Sequence, residues 1–459
     1  MFSTIFQRFM ERRPVPVMVQ ALLERTLSPG KLDAWFERTA VDQYTRTLLF
    51  SSILNLMSLV VFKICPSVNA AYQAEGASFE VSITAVYNKL NGIESRTSAA
   101  LVHDSAKELA EVIEQMDAAR TPWLPGYRIK VLDGNCIEAT EHRLAVLRQT
   151  KAGPLPGKSL AVYDPRLEIV TDVFPCEDGH AQERSLLGAV LVTVRANEVW
   201  IMDRNFCVRR FLLGIGEAGA YFLARQHEGL TFRECSPWRE VGSSETGKLF
   251  EQYIEILDDA GEAHRYRRIK VCLKQATRDG ETELYVLTNL PESVADAKLV
   301  AELYRKRWTI ETMFQELEAH LHSEINTLAY PKAALFGFCV ALVAYNALAV
   351  VKAALRVVHT EEKIANELSG YYLAENVARS NDGMMVVIPE DEWAVFHTMP
   401  TIEFAQVLLQ IASYVNLAHF KKSRRGPKKP KPKRDQYANH PHVSTAKLLK
   451  GITPRKKAS

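Results

Sequence analysis

The sequence predicts a mixed α/β core that carries a β-rich insertion, preceded by a helical region and followed by helices and a basic tail. Three patterns support this fold class. Apolar residues recur at intervals of three and four before residue 125, short apolar strands alternate with helical segments up to about 228, and strand-like runs dominate 228–290. A chain of 459 residues is long enough for two or three such units.

Turn residues and composition set the expected boundaries. A helical N-terminal domain covers 1–125 and ends at the loop TPWLPGY, where two prolines and a glycine interrupt the helical pattern. The α/β domain covers 126–358 and includes the β-rich insertion at about 228–290. A helical C-terminal region at 359–420 is a candidate for dimerisation, and a basic tail covers 421–459.

The tail has an unusual charge. It contains 14 lysines or arginines and one acid, Asp435, although the whole chain has a net charge of only +3, so the remainder is acidic. Such a run cannot bury itself, and we expect it to be disordered. Contact with nucleic-acid phosphates is one function for it, and a solubilising end without a specific partner is the alternative. The first DNA-binding candidates in it are Lys421, Lys422, Arg424 and Arg425.

Other features exclude several classes of protein. The apolar segment 335–351 is slightly short for a membrane span and has Asn346 near its centre, so we expect a buried helix and no membrane partner. The seven cysteines are dispersed without zinc spacing, which is typical of reduced thiols in a cytoplasmic protein. We find no secretion signal and no Walker-type loop, so we expect no nucleotide cofactor.

Two aspartates follow apolar strands. Asp133 ends the strand in IKVLDGN, and Asp203 ends the strand in VWIMDRN. Strand ends are where α/β sheets present functional groups to a crevice. An aspartate there can also simply cap the next turn. In both segments an asparagine follows two residues after the aspartate, a repetition that favours a shared role.

A helix is predicted over YRKRWTIETMFQELEAHL. At 100° per residue, Tyr304, Arg307 and Glu311 fall on one stripe of a continuous helix. A solvated charged face, or an ordinary ion pair between residues four apart, is the alternative interpretation.

Together, Asp133, Asp203 and Glu311 supply the hard oxygen ligands that Mg²⁺ or Mn²⁺ sites use. Two such ions can activate an attacking oxygen and stabilise a leaving oxygen on a phosphodiester. Arg307 and Tyr304, one and two turns before the glutamate, are placed to bind a phosphate beside the ions.

The Tyr304, Arg307 and Glu311 spacing resembles the Tyr-x2-Arg-x3-Glu-x6-Lys helix of DDE-type insertion-sequence transposases, specifically the insertion-sequence-four family. The resemblance covers about 126–355. It implies an RNase H-like core, two Mg²⁺ or Mn²⁺ ions, and cut-and-paste transposition, with cleavage at element ends followed by transfer of the 3′-hydroxyl into target DNA. It also implies a homodimer bound to DNA in the bacterial cytoplasm. The N-terminal domain is then the expected reader of element ends.

The resemblance has one departure. The lysine of the signature would fall at Glu318, and a carboxylate cannot replace a cation at a phosphate. Lys298 or Lys306 could substitute for it. A metal-dependent nuclease without strand transfer, and a catalytically impaired DNA-binding protein or repressor derived from a transposase, therefore remain alternative functions.

Further candidates are weaker. In the resembling family, an aromatic residue of the insertion can stack on a flipped base. Trp238 is the candidate for this role by location, with Tyr253 and Tyr266 as rivals. His180 and Glu183 lie where a helix follows a strand, and either could approach the metal ligands, although a structural role is the simpler interpretation.

Overall fold

Seven helices form the described part of the N-terminal region. The computed structural model describes residues 2–43, 48–76, 80–277, 280–423 and 441–451. The seven helices are α1 (Thr4–Arg12), α2 (Pro14–Thr26), α3 (Pro29–Thr39), α4 (Phe50–Val61), α5 (Val68–Glu75), α6 (Ile83–Gly92) and α7 (Ser95–Gln115). Several begin with a serine whose hydroxyl accepts a backbone N–H, as Ser3 does for α1 and Ser67 for α5.

A large mixed sheet follows, with two helices between its strands. Its strands and helices are β1 (Arg128–Cys136), β2 (Gly153–Leu155), β3 (Lys158–Asp164), β4 (Ile169–Cys176), α8 (Leu187–Thr193), β5 (Glu198–Met202), α9 (Arg209–Glu217), β6 (Tyr221–Arg225), β7 (Arg233–Glu234), β8 (Arg239–Ser243), β9 (Gly247–Leu257), β10 (Ala263–Leu273) and β11 (Glu283–Thr288). All of these strands except β2 join one ten-stranded sheet.

The strand order in that sheet is β4-β3-β1-β5-β6-β11-β10-β9-β7, with β8 paired to β9. Strand β3 runs antiparallel to both of its neighbours, β1 and β4, whereas β5 runs parallel to β1 and β6 runs parallel to β5. This is the RNase H-like arrangement that the sequence predicts, and the mixed α/β fold class is confirmed. The β-rich insertion extends the same sheet, because β11 pairs with β6.

Helices after the sheet complete the body. They are α10 (Ala297–Arg305), α11 (Trp308–His320), α12 (Pro331–His359), α13 (Glu361–Glu367), α14 (Gly370–Val387), α15 (Glu390–Thr398) and α16 (Thr401–Ser413). One core joins them to the N-terminal helices and to one face of the sheet, while α8 and α9 cover the other face. The helical regions before and after the sheet therefore share a single hydrophobic core.

Helix α12 lies at the centre of that core. Among the described residues it is the one helix long and apolar enough to cross a membrane, and its apolar stretch is entirely buried inside the protein. It packs against α7, α16, α4 and β4. Asn346, fully buried, accepts the Val170 N–H and donates to the Val170 carbonyl, each at 2.8 Å. The apolar composition of α12 is thus explained by its burial inside the protein. Its one buried amide, that of Asn346, hydrogen-bonds to the edge strand β4.

The end of the chain differs from the expected disordered tail over 421–459. Within it, His442–Ser444 forms β12, which pairs with β2, and Thr445–Leu449 forms helix α17. Val443 packs against Leu147 and Ala152 in a small separate core. Apolar and β-branched residues at 443–449 provide the contacts of this segment.

Candidate active site

The sheet brings the two aspartates side by side. The last parallel pair between β1 and β5 is Leu132 with Met202, and the next residues on the two strands are Asp133 and Asp203. Because side chains alternate along a strand, both aspartates point to the sheet face on which α11 packs.

The two aspartates end their strands differently. Asp203 directly follows β5, as the sequence predicts, and its carbonyl accepts the Phe206 N–H of a short 3₁₀ turn. The expectation that Asp133 ends its strand was wrong, because β1 continues to Cys136. Pairing with β3 holds those extra residues after the ladder with β5 has ended.

The predicted continuous helix is also corrected. Helix α10 ends at Arg305 and α11 begins at Trp308, and the Arg307 N–H bonds to the Tyr304 carbonyl three residues back. Arg307 is therefore the N-cap residue of α11, and Glu311 lies in the first turn of that helix. The break brings the Arg307 side chain between the sheet and α11.

The Arg307 guanidinium joins two of the three carboxylates. Its Nη1 donates to Asp133 Oδ2 at 2.8 Å, and its Nη2 donates to Glu311 Oε1 at 2.9 Å. The other Asp133 oxygen accepts the Gly134 N–H at 2.9 Å. Arg307 is buried, with 7% of its surface exposed, so these ion pairs lie largely outside bulk water.

The local electrostatics show that the acids act on one another. Burial, followed by the charges of Glu311 and Asp203, raises the pKa of Asp133 to about 6, although Arg307 and the Gly134 N–H oppose the rise. Burial also raises the pKa of Tyr304. The charge of Arg307 opposes this rise, and the charge of Asp203 adds to it. All the residues of the predicted site except the DNA-binding tail and Trp238 therefore converge.

The asparagine that follows each aspartate bonds to a glutamate from elsewhere in the chain. Asn205 donates to Glu183, whose carboxylate also fills the space where a Cβ at Gly134 would lie. Asn135 bonds to Glu324, which also accepts the Glu138 N–H at 2.8 Å. The repeated asparagines thus serve as supports. Sequence reasoning singled out Glu183 but missed Glu324, whose segment HSEINT carries no distinctive pattern.

Several weaker candidates lie elsewhere. His180 is surrounded by Asp178, Lys447 and His442. The Lys306 ammonium lies over the Trp123 ring, 5.0 Å from its centroid. Glu318 lines a surface cavity of about 790 Å³ with Glu316, Lys352 and Lys422, among others. These residues therefore belong to other parts of the surface.

The aromatic candidates are separated from the carboxylates. Trp238 is half-buried among Arg268, Lys270 and Tyr285, with cation-to-ring distances of 5.0 Å and 4.9 Å. Those three side chains alternate with Ile269 and Val286 of the α11-side core, so they extend from the opposite face of the sheet. Tyr266 is a buried core residue.

The remaining aromatic candidate, Tyr253, lies under the Arg265 guanidinium at 4.2 Å from its ring centroid. Of the tail candidates, Lys421 pairs with Glu367 at 3.2 Å, and Lys422 donates to the Ala365 carbonyl at 2.7 Å. Arg424 and Arg425 lie outside the described residues.

The chemistry of the three carboxylates suits a divalent metal ion, but the present spacing of their side chains does not. Asp133, Asp203 and Glu311 offer hard oxygen donors, and the mutual effect on the Asp133 pKa places their charges close together. Over the described ranges, however, no three His, Cys, Asp or Glu side chains stand close enough to hold an ion as they are. The Arg307 guanidinium lies between two of the acids instead.

Residues 124–347 match the family model of the transposase DDE domain. The matched segment begins just before β1 and ends within α12, so it includes the three carboxylates, Arg307 and the β-rich insertion. The match supports a DDE-type transposase.

Among solved structures, the chain is similar to the piggyBac transposase in a synaptic complex with hairpin DNA. The sequence identity is 10% and the TM-score is 0.40, over 93% of this chain and 90% of that chain. A similarity at this level carries no conclusion about the DDE domain's chemistry. A comparison with curated proteins finds no match.

Proposed function

We propose that this chain is the transposase of an insertion sequence and that its DDE domain performs metal-dependent cut-and-paste transposition. The observation that carries the proposal is the convergence of Asp133, Asp203 and Glu311 from two neighbouring strands and a helix. Acids that are distant in the sequence are rarely gathered in one place unless a cation or a charged reaction centre compensates their repulsion.

In this proposal the three carboxylates are the metal ligands. Two Mg²⁺ or Mn²⁺ ions bound there would activate the attacking oxygen and stabilise the leaving one on a phosphodiester. Tyr304 and Arg307 bind a phosphate of the DNA beside the ions. Glu183 bonds to Asn205 and Glu324 bonds to Asn135, and these bonds hold the segments that carry the two aspartates in place.

The reaction then has two steps. Water attacks a phosphorus at the element end, the P–O3′ bond breaks, and the strand is released with a 3′-hydroxyl. That hydroxyl attacks a phosphorus of target DNA, which forms a new P–O bond and expels the target's own 3′-oxygen as a hydroxyl. Because bonds are exchanged in the second step, strand transfer needs no energy source such as ATP.

The other parts of the chain have supporting roles in the proposal. The helices of 1–125 read the element ends, the basic tail with Lys421, Lys422, Arg424 and Arg425 binds phosphates, and 359–420 contributes to a homodimer that pairs two ends. Trp238 remains the candidate for stacking on an unpaired base. The protein would act in the bacterial cytoplasm, on the nucleoid.

The test is cleavage of a duplex that carries the native element ends, with Mg²⁺ present or chelated. We expect cutting by the wild-type chain only with metal, and transfer of the cut end into a supercoiled target plasmid. Cutting without joining would instead identify a nuclease of the same fold. Asp203→Asn and Glu311→Gln each remove a negative ligand but keep the side-chain shape, so both should abolish cutting while DNA binding remains.

Glu362→Gln, on the exposed first turn of α13, is the matched control and should cut normally. Cutting that survives both Asp203→Asn and Glu311→Gln would overturn the proposal. DNA binding without any cutting by the wild-type chain would favour the repressor alternative. Glu318→Lys restores the charge of the family signature, and stronger cutting by that variant would show that Glu318 limits the natural protein.

A further inference from the structure

The Arg307 side chain already engages one oxygen of each of two carboxylates that we propose as metal ligands. Asp133 Oδ2 and Glu311 Oε1 each accept one of its guanidinium hydrogen bonds. The remaining Asp133 oxygen is engaged by the Gly134 N–H. A divalent ion that approaches Asp133 and Glu311 through these oxygens therefore meets the positive guanidinium there, and the two positive charges repel each other.

The charges in the site explain why the guanidinium is there. Asp133, Glu311 and Asp203 together exceed the single positive charge of Arg307, and burial makes their repulsion costly. A guanidinium between two of them offsets part of this repulsion. A negative surplus remains, and it is a second reason for the site to attract a doubly charged ion.

An exposed aromatic ring lies beside the Arg307 guanidinium. Its guanidinium lies 5.4 Å from the ring centroid of Trp308, which is 61% exposed. Among the described residues, the buried Nε atom has no hydrogen-bond partner, so the head group is held through its terminal nitrogens. Rotation toward Trp308 would bring the guanidinium to the surface, where a DNA phosphate can receive it.

We infer that Arg307 acts as an internal cation that holds Asp133 and Glu311 together before metal binds and leaves them when a divalent ion arrives. This inference rests on the proposed function, since it takes the carboxylates as the metal site. It predicts that Arg307 competes with the metal. Removal of the guanidinium should therefore strengthen metal binding in the absence of DNA, whereas an arginine that merely supports the ligands would weaken binding when removed.

The experiment is a Mn²⁺ titration of the full-length protein without DNA, with free Mn²⁺ measured by electron paramagnetic resonance. Arg307→Ala should bind Mn²⁺ at least about tenfold more tightly than wild type, because a positive charge close to the ion is gone. Arg307→Lys keeps the charge but lacks the two-pronged contact, so it should fall between them. Arg305→Ala removes an exposed arginine that pairs with Glu245 and is the matched control, with wild-type affinity.

Chemical replacement makes the test independent of folding differences between the variants. Methylguanidinium at millimolar concentration should enter the space left in Arg307→Ala and weaken its Mn²⁺ binding toward the wild-type value. The same additive should leave the wild-type affinity unchanged. Mn²⁺ affinity in Arg307→Ala that equals or falls below wild type, or that ignores methylguanidinium, overturns the inference.

Asp203→Asn separates this inference from the proposed function, because Asp203 is not bonded to Arg307 in the structure. Loss of Mn²⁺ binding in Asp203→Asn, together with unchanged affinity in Arg307→Ala, would leave the metal site standing and reject only the competition. Wild-type Mn²⁺ binding in Asp203→Asn, or no binding by any variant, would reject the metal site and the inference together.

Discussion

Two buried arginines occupy different regions of this molecule and serve different purposes. Arg267, in the β-rich insertion, is 4% exposed; its Nε donates to Glu251 at 2.7 Å, and its Nη1 donates to the Leu290 and Ala295 carbonyls. Arg307 is about equally buried but donates to two carboxylates and lies in the field of a third. The geometry is similar, but the charge balance is not.

The balance of charges around each arginine distinguishes the structural ion pair of Arg267 from the candidate site at Arg307. Glu251 is 2% exposed and also pairs with Arg239 at 3.0 Å, so positive charge there at least matches negative charge. The pair fastens the insertion to the segment that leads into α10. At Arg307 the acids outnumber the base, which is unfavourable until a further cation arrives. A buried arginine therefore indicates function only when its surroundings retain a negative surplus.

The largest effect on the free energy of unfolding should come from breaking the Arg267–Glu251 ion pair. Arg267→Met leaves Glu251 buried and opens the bonds to two carbonyls, so we expect a loss of roughly 3–5 kcal/mol in the free energy of unfolding. Thermal and urea denaturation would measure it. Added Mg²⁺ should not restore the loss, because a single carboxylate beside Arg239 is a poor site for the ion.

Arg307→Ala is the counterpart that sharpens this comparison. It also leaves buried acids unpaired, but we expect Mg²⁺ to raise its unfolding temperature by several degrees more than it raises that of wild type. Equal Mg²⁺ responses in Arg267→Met and Arg307→Ala would contradict the distinction between the two regions.

A smaller effect is expected at Glu324, which lies on the active-site side. Burial, and then the charge of Glu138, raises its pKa to about 7, against the stabilising bonds from the Glu138 N–H and Asn135. The folded protein therefore holds this proton more tightly than the unfolded chain. Its contribution to stability is complete below the ordinary pKa of 4.5 and is lost as the pH rises through 7.

Glu324→Gln removes that dependence while keeping an acceptor for the backbone N–H. Relative to wild type, the variant should gain about 2 kcal/mol of unfolding free energy between pH 5 and pH 8. Melting temperatures of both proteins across this range would test it. A difference that stays constant with pH would show that Glu324 remains charged in the fold.

The smallest effect belongs to a surface ion pair. Lys447 of α17 lies 2.9 Å from Asp178, and both side chains are partly exposed to solvent. Lys447→Ala should cost less than about 1 kcal/mol, and added salt should reduce the difference. A larger loss would mean that the segment 441–451 is fastened mainly by this pair and not by Val443 in its small core.

Much of the sheet could be predicted from local patterns. Asp203 follows its strand directly, as predicted, because continuous apolar runs are set by neighbours in the sequence. Strand β2 was not predicted. Its three residues are held as a strand by β12, which lies almost three hundred residues later.

The structure brings together only the central residues of the predicted site. Asp133, Asp203, Glu311, Tyr304 and Arg307 come together, whereas Trp238 lies on the other face of the sheet. The prediction that Tyr304 and Glu311 lie on one helix stripe assumed a continuous helix. In the structure, α10 ends at Arg305 and α11 begins at Trp308. Sequence periodicity does not reveal such a break, because Lys306 and Arg307 themselves keep helical backbone angles.

By itself the sequence determined which residue types stand at the ends of strands and on helices, because burial patterns and turn chemistry are local properties. Only the tertiary structure decided that Arg307 lies between two acids, that Glu183 and Glu324 support the asparagines after the two aspartates, and that β12 pairs with β2. These depend on contacts between segments separated by tens to hundreds of residues. Charge, burial and distance act in space, and a pattern along the chain does not contain them.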